Sequence, residues 1–207
     1  MSATFIMALD NLLLSQNSIT GIAQIKDFRQ IQLSDFLLFI VFLMLFVRFF
    51  LGDLRYLDSR YIELEIEDYN PKRHTPIHRI IDFTSLLIHG VFFYFLSATI
   101  LNFPLYYKIF TGVLFFNSIW LFITYHTIQE EDRDITEIKN CKTWAINNII
   151  FVCLLVVFLL YSENLSLAYS LYVFFALATL NSIIDFLCTW DTYFLEIDDK
   201  SDKKKEK

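Results

Sequence analysis

Seven polar side chains lie in stretches of sequence that are otherwise almost wholly apolar: Arg48, Asp82, His89, Asn117, Asn147, Asn181 and Asp185. Their types and spacing set the chemistry open to them. Asp82, Ser85 and His89 stand at i, i+3 and i+7, and Asn181, Asp185 and Thr189 at i, i+4 and i+8, so on helices each set makes one polar stripe. A carboxylate among apolar neighbours needs a cation, a proton or water, because an unpaired charge out of water is costly. Arg48 is the cation placed to serve, and its expected partner is Asp82 or Asp185. Asn117, Asn147 and Asn181 supply hydrogen bonds between helices, worth roughly 0.6 kcal/mol each when they act only as glue. Asp82 also sits near the start of its own helix, where negative charge is favoured. A wet set of such groups passes ions or protons; a dry set holds helices together.

Other chemistry has no residues to carry it. His74 and His78 have the spacing of one box of a membrane desaturase, but the chain holds 4 histidines in all, and Pro76 breaks the helix that would align the pair. There is no His-Glu-x-x-His, no Cys-x-x-Cys, no Gly-x-Ser-x-Gly, no phosphate-binding loop, no dinucleotide fingerprint and no potassium-filter sequence. The acidic run Gln129 to Glu137 lacks calcium-loop spacing. No catalytic residue, metal or cofactor is assigned.

The elements that must position the seven residues follow from composition. Of 207 residues, 56% are hydrophobic and 19% charged, with 23 Phe but only 4 Gly and 3 Pro. Soluble domains run nearer a quarter charged, so a water-soluble globule is excluded. Three cysteines (Cys141, Cys153, Cys188) are too few and too spread for a disulfide scaffold. About 20 mostly apolar residues cross ~30 Å of hydrocarbon as a helix. Five stretches qualify: Leu33 to Leu51, Ile80 to Leu101, Leu105 to Tyr125, Trp144 to Tyr161 and Leu165 to Trp190. Asn102-Phe103-Pro104 and Ser162-Glu163-Asn164 are the short turns of two tight hairpins. Only Gly90 and Gly112 fall inside spans, and proline in none, so the helices are expected to be unbroken. The expected fold is all-α and integral to the membrane: five transmembrane helices, two tight hairpins after a first span, and short extended cytoplasmic segments.

Residues 1–32 read as an amphipathic or extramembrane arm, 33–190 as the bundle and 191–207 as a cytoplasmic strand with a basic tail. Phe5, Ile6, Leu9, Leu12 and Leu13 share one helical face, which suits a helix lying on the membrane. Within Arg60 to Asp68, Ile62, Leu64 and Ile66 alternate with Glu63, Glu65 and Glu67, the period of a strand, and Leu195 to Asp199 nearly repeats the string; residues 61–67 and 194–198 are expected to be extended and to lie near one another. Basic residues collect on alternate sides: Arg55, Arg60, Lys72, Arg73 and Arg79, then Arg133, Lys139 and Lys142, then the tail lysines, against Lys26, Arg29 and Lys108 opposite. By that rule the C-terminus is cytoplasmic and the N-terminus outside. Asn117/Asn181, Ser118/Ser182, Ile119/Ile183 and Phe122/Phe186 match at constant offset, which suggests a duplicated hairpin.

Three functions fit a multi-pass chain of this kind. The first is an oligomeric pore or channel-like protein whose polar stripes meet across subunits. The second is a non-catalytic accessory or scaffold subunit. The third is an enzyme acting on lipid with Asp82, Asp185 and His89 as acid and base groups; lacking a nucleophile or metal set, it is the weakest. The expected partners are the lipid bilayer and either further copies of the chain or another membrane protein, with no nucleic acid.

Overall fold

A computed structural model describes residues 2–16, 23–25, 32–61, 76–130, 135–162 and 165–190. Its helices are α1 (Ser2–Leu13), α2 (Leu33–Tyr61), α3 (Pro76–Ala98), α4 (Phe103–Glu130), α5 (Ile135–Ser162) and α6 (Leu167–Cys188). The last five are long and apolar enough to cross a bilayer. Helices satisfy their own backbone polar groups, which lipid cannot. The chain is therefore a helical, multi-pass membrane protein.

Local chemistry fixes the tight turns. Asn102 begins α4: its backbone oxygen accepts from Tyr106 at 2.8 Å and its side-chain oxygen from Leu105 at 3.2 Å. Pro104 falls in the first turn, where a missing N–H costs nothing. Thr99 closes α3 by donating its hydroxyl to the Phe95 carbonyl at 2.8 Å. Ser166 caps α6, its hydroxyl oxygen accepting from the Tyr169 N–H at 3.3 Å.

Neighbouring helices close a ring. α4 and α5 share the longest contact, α5 packs on α6, α6 on α2, and α3 on α4. The seam between α2 and α3 is the thinnest, and α1 bridges it. Ala8 and Leu12 of α1 are buried, and Asn11 Nδ2 donates to the Ser97 carbonyl at 2.9 Å.

The half of the bundle at the tight turns is apolar and aromatic. Phe174 is fully buried among Phe103, Tyr106, Tyr107 and Phe110, with ring centroids 5.1–6.1 Å away. The tyrosine hydroxyls are satisfied within it: Tyr106 donates to the Leu38 carbonyl at 3.2 Å and Tyr107 to that of Leu155. Toward the other end a smaller cluster of Trp120, Leu121, Cys141, Trp144 and Ala145 surrounds the polar residues.

Several boundaries move. α2 continues ten residues past the expected limit at Leu51, to Tyr61, so Arg60 and Tyr61, read as the start of a strand, are helical. The rest of that segment, its proposed partner at 194–198 and the basic tail lie outside the described residues. α5 begins at Ile135, well before Trp144. The strands that are described stand elsewhere: β1 (Leu14–Gln16) and β2 (Ala23–Ile25) pair antiparallel, Ser15 opposite Gln24.

Candidate functional site: a polar chamber in the half away from the turns

Arg48 lies six residues before Leu54, the limit of the α2 span, about 9 Å along the axis. It is buried, and so are the groups around it. Its Nε donates to Asp185 Oδ2 at 2.7 Å and its Nη2 to Asp185 Oδ1 at 2.8 Å, a two-pronged ion pair. Nη2 also donates to Asn148 Oδ1 at 2.6 Å, and Nη1 to Asn181 Oδ1. The guanidinium carbon stands 5.6 Å from the centre of the Phe49 ring. Asn147 Nδ2 donates to the Asn181 carbonyl at 3.1 Å and reaches Asp185 Oδ1 at 3.5 Å. Below Asp185, Trp144 Nε1 donates to Thr189 Oγ1 at 2.7 Å, and that hydroxyl donates to the Asp185 carbonyl at 2.6 Å. One network thus ties α2, α5 and α6 together.

A second polar group adjoins it. Trp120 Nε1 donates to Asp82 Oδ1 at 3.3 Å. His89 Nδ1 stands 3.6 Å from Asp53 Oδ2, and the Asp82 carboxylate is near enough for its charge to act on Asp53. Asp53, Asp82 and His89 are all buried.

Between the two groups lies a cavity of about 20 Å³, room for a single water. Arg48, Asp53, Asn117 and Asp185 bring polar groups to it, Trp120 and Trp144 wall it, and Gly52 contributes no side chain to fill it.

The seven residues singled out in the sequence are all buried and all lie in or beside this chamber. Arg48, Asn147, Asn181 and Asp185 form one network, and of the two carboxylates it is Asp185 that Arg48 grips. Asn117 lines the cavity. Asp82 and His89 belong to the second group instead. Sequence reasoning missed Asp53, because its charge ended the apolar window. The helical spacing of Leu38, Phe42, Leu45, Phe49 and Asp53, every one of them buried, is the signal that would have found it. Trp120 and Trp144 were missed as hydrogen-bond donors because tryptophan counts as apolar.

Among the described residues, no three His, Cys, Asp or Glu side chains stand close enough to hold a metal ion. The arrangement is suited to holding protons, water or a small cation. No known protein family, curated protein or solved structure matches the chain.

Proposed function

We propose that this multi-pass membrane protein is channel-like and that its pathway for a small cation or proton runs inside each protomer. The observation that carries the reading is the cavity shared by Arg48, Asp53 and Asp185, set in one half of the bundle and faced by an aromatic layer in the other. Asp185 neutralises Arg48, and Asp53 adds a further carboxyl group to the cavity wall, which favours a cation or a proton there. Phe110 and Phe174 supply a hydrophobic constriction of the kind that opens by wetting. The polar stripes are used up within one chain, so an assembly of several copies is no longer needed to build the polar route.

Liposome flux tests it. The wild-type chain is expected to pass protons or monovalent cations slowly. The pair Phe110→Ala with Phe174→Ala is expected to raise the flux at least tenfold, and Asp53→Asn to lower it. Vesicles that remain tight with the wild type and with the aromatic pair removed would overturn the channel and leave the accessory-subunit reading in its place.

A further inference from the structure

His89 is 2% exposed, in the middle of α3, and neither ring nitrogen has a hydrogen-bond partner. Leaving a buried polar group unmatched costs about 1–3 kcal/mol, so an imidazole with two of them calls for an explanation. Its ring packs edge-to-face with those of Phe49, Phe116 and Trp120, with centroids at 5.0, 5.2 and 5.6 Å. Asp53 Oδ2 faces it at 3.6 Å from Nδ1, too long for a hydrogen bond as it stands. Asp53 also lines the cavity beside Arg48. A carboxylate with water-accessible space on one side and an unsatisfied lone pair on the other has the layout of a proton acceptor.

We propose that Asp53 and His89 act as one proton-binding unit, which takes a proton from the cavity and, once loaded, latches α2 to α3. The transfer moves one proton and no electrons. A hydronium in the cavity loses an O–H bond and becomes water, Asp53 gains an O–H bond, and that hydroxyl donates to the lone pair on His89 Nδ1. The charge of the pair rises by one, and the 3.6 Å gap contracts to hydrogen-bond length. Among the described residues, the charged groups around the pair are Arg48 on α2, Asp82 on α3 and Asp185 on α6. From α4 the described neighbours of the imidazole are the rings of Phe116 and Trp120.

The consequence is mechanical. α2 is already held to α6 by Arg48, five residues before Asp53, whereas its seam with α3 is thin. Loading the pair draws the same stretch of α2 toward α3, across the cavity from its α6 anchor. The inference rests on the chamber described above and not on conduction through it. If conduction holds, it names the proton as the species the chamber takes up.

Infrared difference spectra of the full chain in phosphatidylcholine vesicles, recorded while the pH is lowered, test the proposal. The expected result is a buried carboxylic-acid band that grows in on acidification, disappears in Asp53→Asn and persists in Asp82→Asn. In His89→Gln its midpoint should move by about one pH unit or more, a tenfold change in proton affinity. The wild type labelled with ¹³C-aspartate gives a reading that needs no variant to fold: the band must shift on labelling. A band that survives Asp53→Asn, one that ignores His89→Gln, or no aspartate band at all would each overturn the proposal. Vesicles that conduct nothing while the band titrates as expected would remove the channel and leave the proton-binding pair standing.

Discussion

Removing the carboxylate of Asp185 leaves Arg48 buried beside Asn148 and Asn181 with its charge unmatched. Asp185→Leu is expected to destabilise the protein by about 3–5 kcal/mol, the usual cost of taking one partner from a buried ion pair. Adding Arg48→Leu should recover much of the loss, because two apolar side chains then fill the gap without a stranded ion. Thermal unfolding of both variants in detergent measures this, and a double variant no better than the single one would show that the network does not act as a pair. At this scale the sequence was informative about which residues are buried and poor about which of them meet. Spacing put Asp185 and Asn181 on one stripe, but choosing Asp185 over Asp82 as the partner of Arg48 depends on how α2 sits against α6, which no local pattern records. Asp53 escaped notice for a different reason: a charge at the end of an apolar run looks like the water boundary, and only the unbroken helix beyond it shows otherwise.

Among the elements, α1 has the most to gain from a direct test. The amphipathic pattern of residues 5–13 was legible, yet a bilayer surface and a protein groove ask for the same pattern, and here the apolar face rests on α3 and α2. Ala8 is fully buried at that contact, while Asp10 is exposed. Overpacking a full site costs about 1–3 kcal/mol, so Ala8→Leu is expected to lower stability by that amount and Asp10→Ala to change it little. Equal effects in thermal unfolding would mean that α1 does not hold this seat. The matched segments of α4 and α6 show parallel behaviour. Ser118 and Ser182 each donate to the carbonyl four residues earlier, at 2.8 and 3.1 Å, and Ile119 and Ile183 both face outward. A serine in an apolar helix commonly makes that bond on its own account, and the parallel in burial stops at the fourth matched pair, where Phe122 is exposed and Phe186 half-buried.

At the scale of the whole molecule, length and composition alone were enough for five spanning helices, since nothing else hides so much apolar sequence from water. Orientation is a separate matter, set by lysine and arginine outside the spans. Reporter fusions at residues 164 and 207 are expected to fall on opposite sides of the membrane, with 207 in the cytoplasm. A reporter at 207 on the outer side would turn the chamber to face outward.

The Arg48–Asp185 pair joins positions 137 residues apart. Seen as a matter of time, the first spanning helix is made with a charge whose partner has not yet been synthesised. At about 5–20 residues per second the wait is roughly 7–27 seconds. During it, Arg48 has to reach toward the headgroups or be sheltered by the insertion machinery, and only the arrival of α6 lets it turn inward. The last helix is therefore the one that completes the first. A nascent chain halted before Leu167 lacks Asn181 and Asp185, two of the three side chains that hold the Arg48 guanidinium.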